Sequence, residues 1–177
     1  MNNVSSSSGN ILVVGVSPRS LLNFRGHLLQ EFLARDYNVI ACSAPASEDI
    51  VNKLQSMGIM HVEIGFQRAS INPFRDMWVL WELRKLFKYF LPEKVLLYTV
   101  KPVIYGSLAA RGLGIDVYSM ITGAGYSFTA SGIKQAVISS VVRKMYKLAL
   151  TGNKAVVFQN PDDLKLFSGH NLLRSDI

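Results

Sequence analysis

Lys101, and further along Thr122, Gly123, Gly125 and Tyr126, are the residues of this chain best suited to holding a ligand. The first group sits in Tyr98-Thr99-Val100-Lys101-Pro102-Val103-Ile104-Tyr105-Gly106 and the second in Ile121-Thr122-Gly123-Ala124-Gly125-Tyr126, each following a strand-like run. In an open α/β sheet the ligand crevice lies past the carboxyl ends of the strands, so two such turns one βα unit apart suggest a site. An ammonium at Lys101, one residue before Pro102, could reach a phosphate or carboxylate crossing that crevice. Thr122 offers a hydroxyl, Gly123 and Gly125 let a ligand approach the backbone, and Tyr126 offers a ring for stacking on sugar or base. The plainer reading is a solvated lysine and an ordinary βα turn.

The loop Ser17-Pro18-Arg19-Ser20-Leu21-Leu22-Asn23-Phe24-Arg25-Gly26 carries two cations ahead of a helical pattern. Such a loop suits an anion, and equally a solvated basic turn. It holds no GxGxxG, and Gly15 alone does not bring backbone against a pyrophosphate, so no nicotinamide or flavin cofactor is expected. His27, His61 and His170 share no ligand spacing with the single cysteine, Cys42, so no metal is expected either. Cys42 lies in an apolar run and reads as a buried, inert thiol.

Two stretches mix cations with large apolar groups. Arg75, Arg84, Lys85, Lys88 and Lys94 stand among Trp78, Trp81, Phe87, Tyr89 and Phe90; Lys134, Arg143, Lys144 and Lys147 lie on a second helix without an acid. So many rings cannot all point into one core, and basic aromatic helices suit an anionic bilayer surface. Arg84, Lys85, Lys88, Arg143, Lys144 and Lys147 are therefore expected to face a membrane, although an amphipathic core helix with a solvated face would carry the same pattern. No run of about 18 apolar residues occurs, so membrane contact is expected to be peripheral.

The elements that position these groups follow from the periodicity. Ile11 to Val16 reads as a buried strand, and Val39 to Cys42, Met60 to Ile64, Val95 to Thr99, Asp116 to Ile121 and Ala155 to Phe158 read as further strands. Helical spacing joins Leu21 to Ala34 in one helix, and further helices are expected from Ser47 to Gly58, from Asn72-Pro73 to Pro92, over Val103 to Arg111 and over Ile133 to Leu150. Asn160 caps a last helix with Pro161 at its first position. The alternation predicts an α/β, Rossmann-like parallel sheet of about six strands with helices on both faces. At 177 residues, 49% of them hydrophobic, residues 11–177 are expected to form one domain behind a polar, Ser-rich tail at 1–10 that is no signal peptide. The net charge of +7 favours an anionic partner.

The joint pattern resembles the N-terminal domain of a family 4 glycosyltransferase of the two-domain GT-B fold, of the kind that assembles polysaccharide and lipopolysaccharide. The residues carrying it are Phe24-Arg25-Gly26, Ser70 to Asp76, Tyr98 to Arg111, Thr122 to Tyr126 and Phe158 to Asp163, in the expected order. Many relatives carry His-Gly where this chain has Thr122-Gly123, and a threonine gives only a neutral hydrogen bond there; a subgroup reads Thr-Gly-x-Gly-Tyr, as here.

The resemblance implies retaining transfer of a sugar from a nucleotide-sugar donor to a lipid-linked (polyprenyl-diphosphate) acceptor, without a metal or other cofactor. It places the protein in the cytoplasm, peripheral on the inner face of the cell membrane. Substrate contacts are expected at Arg25, Gly26, Lys101, Pro102, Thr122, Gly123, Gly125, Tyr126 and Asn160, with no catalytic residue assigned. The Glu-rich donor motif of the family's C-terminal domain has no counterpart in this sequence, so the chain is expected to be the acceptor-binding half, inactive alone, with the donor-binding domain removed or supplied as a separate subunit. The alternative is a non-enzymatic Rossmann-like module binding a nucleotide or a partner. Nucleic acid is not an expected partner, because the basic residues lie on helices without a recognition motif.

Overall fold

The computed structural model describes residues 9–66, 73–123 and 133–174. Six parallel strands, β1 (Asn10–Val14), β2 (Asn38–Ser43), β3 (Met60–Glu63), β4 (Lys94–Tyr98), β5 (Asp116–Ile121) and β6 (Ala155–Phe158), form one sheet in the order β3-β2-β1-β4-β5-β6. In register, Leu12 lies beside Ile40 on one side and Val95 on the other. The central strands β1, β2 and β4 carry continuous buried apolar runs because both of their faces are covered, and the side chains alternate between two cores.

On one face, Ile11, Val13, Val39, Ala41, Leu96 and Tyr98 pack with Leu21, Leu29 and Leu54 from helices α1 (Pro18–Asn23), α2 (Gly26–Ala34) and α3 (Glu48–Ser56). On the other, Leu12, Val14, Cys42, Val95 and Leu97 pack beneath α4 (Pro73–Phe90), a π-helical turn (Pro102–Gly106) running into α5 (Ser107–Ala110), then α6 (Ile133–Leu150) and α7 (Pro161–Gly169). The predicted α/β class and strand set are those found.

Three local expectations are corrected. The single helix over Leu21 to Ala34 is two, because Arg25 leaves helical geometry (φ −122°, ψ −5°) to turn its side chain inward, and the chain restarts at Gly26. The helix over Val103 to Arg111 begins as a π-helical turn at Pro102 and ends at Ala110. The wide turn sets Gly106 against Leu97, where an added Cβ would stand 2.6 Å from Leu97 Cδ2. The fourth strand stops at Tyr98 rather than Thr99, because Thr99 has φ +69° and has left the extended region.

Candidate functional site

The strand order reverses direction between β1 and β4, and outward of their carboxyl ends lies a cleft of about 630 Å³. This is the switch point at which open α/β sheets bind ligands. One wall is the turn from Val16 through α1 to Arg25; the other is Tyr98 to Lys101, with Thr122 and Gln159 at the far end. Among the described residues, the lining carries Arg19, Arg25 and Lys101 and no carboxylate.

Tyr98 ties the second wall to the first. Its ring covers Gly15 so closely that a Cβ there would come within 2.0 Å of Tyr98 Cζ, so the glycine serves packing against this ring rather than a cofactor. The Ser20 hydroxyl donates to Ser17 O at 2.6 Å, which leaves its oxygen to accept from the Tyr98 hydroxyl at 2.9 Å. Burial, the largest effect, pushes the Tyr98 pKa above its ordinary value, and the Arg25 charge opposes it. Above the ring, 4.9 Å from its centroid, lies the Arg25 guanidinium, a cation on the negative face of the π system. Arg25 is 7% exposed, Nη1 donates to Phe24 O at 2.9 Å, and buried Nε has no hydrogen-bond partner.

The second wall is held from behind. Asp76, in the first turn of α4 and buried, accepts from Lys101 Nζ at 2.8 Å and from the Tyr105 hydroxyl at 3.0 Å. Burial first, then the Asp76 carboxylate, raises the Tyr105 pKa. The Lys101 charge is thus largely matched before any ligand arrives. Thr99, between Tyr98 and Lys101, combines its left-handed φ with a buried hydroxyl that has no partner. A β-branched residue in that region stores strain, and such positions cluster at ligand sites.

The expected site residues divide accordingly. Arg25, Lys101 and Thr122 line one cleft. Gly123, beside Thr122, has φ +138° and nothing within 4 Å of where a Cβ would stand, so its backbone is open. Gly26 opens α2 with equally free space around it. Pro102 is buried at the start of the π-helical turn. Asn160 is occupied as a cap: Oδ1 accepts from Asp163 N and Nδ2 donates to Asp163 Oδ2, both at 2.8 Å. Gly125 and Tyr126 lie outside the described residues.

Among the membrane candidates, Lys85, Lys88, Lys144 and Lys147 are exposed. Lys85 Nζ sits 3.7 Å from the Trp81 ring centroid, and Trp81 packs against Trp78 at 4.9 Å. With Met77 these rings form an exposed stripe along α4. Arg84 is turned instead toward the end of α5, where Nη1 donates to Ala109 O at 2.8 Å and Arg111 O at 2.9 Å. Arg143 lies 3.4 Å from the His170 ring. No helix among the described residues is long and apolar enough to cross a membrane. Sequence reasoning quoted Tyr98, Thr99 and Asp76 within the segments that carry the resemblance but assigned them no place in the site; the acid in the first turn of a basic helix was a further signal for Asp76.

A Rossmann-like sheet with a basic switch-point cleft defines an N-terminal GT-B domain. Residues 19–160 match the glycosyl transferase 4-like family, and the chain belongs to it. The chain is 24% identical over 131 residues to the N,N'-diacetylbacillosaminyl-diphospho-undecaprenol alpha-1,3-N-acetylgalactosaminyltransferase of Campylobacter jejuni, covering 73% of this chain and 35% of that protein. Among solved structures it is similar to a glycosyltransferase from Rickettsia africae (TM-score 0.65, 19% identity, 95% of this chain, 41% of that one). It is also similar to MurG of Acinetobacter baumannii (TM-score 0.54, 16% identity, 87% and 42%). A UDP-N-acetylglucosamine 2-epimerase shares the fold as well (TM-score 0.62, 15% identity, 97% and 45%). The chain thus spans about a third of the curated relative and under half of these structures.

Proposed function

We propose that this chain is the acceptor-side half of a retaining glycosyltransferase that moves a sugar from a nucleotide-sugar to a polyprenyl-diphosphate-linked glycan in polysaccharide or lipopolysaccharide synthesis. The observation that carries this reading is the cleft at the β1/β4 switch point: cationic, free of carboxylates among the described residues, and set in a family 4-like chain. The relative from Campylobacter jejuni is named for a diphospho-undecaprenol-linked substrate, which supports an acceptor of that class.

Sugar transfer leaves negative charge on a departing diphosphate, and preorganised donors stabilise it best where water is excluded. Arg25, Lys101, Thr122 and the open backbone at Gly123 form one wall of such a site; Gly125 and Tyr126 extend it in this proposal. A second, donor-binding domain, in the same polypeptide or another, closes the cleft and completes the chemistry. The exposed stripe Trp78, Trp81, Lys85 and Lys88 on α4, with Lys144 and Lys147 on α6, meets the anionic inner face of the cell membrane, where the acceptor resides.

Liposome flotation with and without anionic lipid, run beside a sugar-transfer assay, tests this reading. Flotation that requires anionic lipid, with transfer appearing only when a donor-binding GT-B domain is added, is expected. Robust turnover by this chain alone contradicts the half-site, and absence from anionic liposomes contradicts the membrane face.

A further inference from the structure

We propose that a side pocket off the main cleft binds the acetamido group of an N-acetylated sugar. The pocket holds about 380 Å³ and lies past the carboxyl ends of β1 and β2, at the starts of α1 and α3. Val16, Ala44, Ile50 and Phe66 supply apolar surface, and Ser17 and Ser47 supply hydroxyls. Val16, Ser17 and Arg19 line the main cleft as well, so the two spaces adjoin. A sugar ring held in the cleft can therefore turn one substituent into the pocket.

The lining matches a secondary amide that ends in a methyl. Ser17 and Ser47 precede α1 and α3, yet neither side chain is spent on capping its helix. A hydroxyl both donates and accepts, so the two together meet the N–H and the C=O of one amide. The methyl then buries against Phe66, itself 5% exposed, and its apolar neighbours. A sugar hydroxyl in the same place would leave water for apolar surface and would not fill the space. Among the described residues the lining holds one charge, Arg19, shared with the cleft, so the pocket itself suits a neutral group.

The wall is set before a ligand arrives. Ala44 N donates to Val16 O at 3.1 Å, Ala46 N donates to Glu63 Oε1 at 3.1 Å, and the Ser43 hydroxyl donates to Ala44 O at 2.8 Å. The Ser43 oxygen in turn accepts from His61 Nε2 at 2.9 Å. Phe66 N donates to Ile64 O at 2.7 Å, which fixes the chain just past β3. A concave space with rigid apolar walls and a few placed polar groups is the kind that selects small ligands.

Donor and acceptor sugars can both carry an acetamido group, and the pocket recognises what they share. Its part in sugar transfer rests on the transferase reading; the binding itself does not. Saturation-transfer NMR of the full chain with methyl N-acetylglucosaminide and methyl glucoside tests it. Ala44→Leu, which fills the pocket, and Ser47→Ala, which removes one hydroxyl, are measured alongside, with the thermal midpoint of each. Saturation is expected to be strongest on the acetamide methyl, with the glucoside bound about tenfold more weakly. Ala44→Leu should weaken binding of the N-acetylglucosaminide by about tenfold and Ser47→Ala by about threefold, with midpoints held.

Uridine-diphosphate-linked and geranyl-diphosphate-linked N-acetylglucosamine separate the sources. Weakening by Ala44→Leu of one of them assigns the donor or the acceptor, and weakening of both assigns recognition to the acetamido group alone. Equal binding of the two methyl glycosides, no binding of either, or unchanged binding in Ala44→Leu overturns the pocket. Should Ala44→Leu lower the midpoint, Ser47→Ala decides, because Ser47 is exposed and its side chain caps nothing; unchanged binding there overturns the proposal. Failed sugar transfer beside intact N-acetyl discrimination would contradict the transferase reading alone, so the two fail separately.

Discussion

Two cation–ring pairs in this molecule use the same attraction in opposite settings. Arg25 over Tyr98 is buried at 4.9 Å, its ring pinned by Ser20 and Gly15; Lys85 over Trp81 is exposed at 3.7 Å on the outer stripe of α4. In the cleft, burial fixes the guanidinium on the ring and leaves its Nε without a partner. On α4, water screens the ammonium and leaves the ring free, which makes a surface suited to a broad interface. The difference teaches that accessibility, more than residue type, separates a ligand site from a docking face.

Alkali should have the largest effect, through buried groups rather than the exposed face of α4. Burial pushes the Cys42 thiol up to about 12 and raises the Tyr98 hydroxyl, so both stay protonated in the folded chain after they ionise in the unfolded one. Stability contributed by these groups is full below their unfolded values and is lost as pH rises above them, by up to about 1.4 kcal/mol per pH unit for each. Urea midpoints falling from about pH 9 upward check this, and Cys42→Ala should flatten the slope. Next in size, Asp76→Ala strips the acceptor from Lys101 and Tyr105 and should cost about 3 kcal/mol by the same midpoints. A change under about 1 kcal/mol would mean that the second wall does not depend on that carboxylate.

On the exposed side, Lys85→Gln with Lys88→Gln should weaken partition onto anionic vesicles by about 30-fold, roughly 1 kcal/mol per cation, while leaving the urea midpoint within about 0.5 kcal/mol. Vesicle sedimentation reads the first quantity. Smaller again, Tyr98→Phe removes the hydroxyl that donates to Ser20 and should cost about 1 kcal/mol in stability, with vesicle binding unchanged. If that substitution weakened vesicle binding instead, the two regions would not be separate.

The sheet was legible because β1, β2, β4 and β6 carry short apolar runs between helical patterns, and a parallel sheet follows from that alternation. The cleft's position was legible too, since strand ends lie at fixed places in such a fold. The break at Phe24-Arg25 was hidden because Leu21, Leu22, Leu28 and Leu29 keep helical phase across it. Thr99 is a good strand former by type, so nothing local announces its positive φ. Asp76 and Lys101 meet only through the packing of α4 on the π-helical turn, a contact 25 residues apart that periodicity does not encode. Asn160 was readable as a cap from Asn160-Pro161-Asp162-Asp163 alone, and its side chain is spent on that cap.

Amide hydrogen exchange of the full chain, with geranyl diphosphate in one arm and anionic vesicles in the other, tests most directly whether cleft and helix face are distinct surfaces of one transferase half. The account predicts that the diphosphate slows exchange at Ser17 to Gly26 and Tyr98 to Lys101, and that vesicles slow it at Met77 to Lys88. Protection by the diphosphate confined to α4, or protection of the same segments by both, would contradict it.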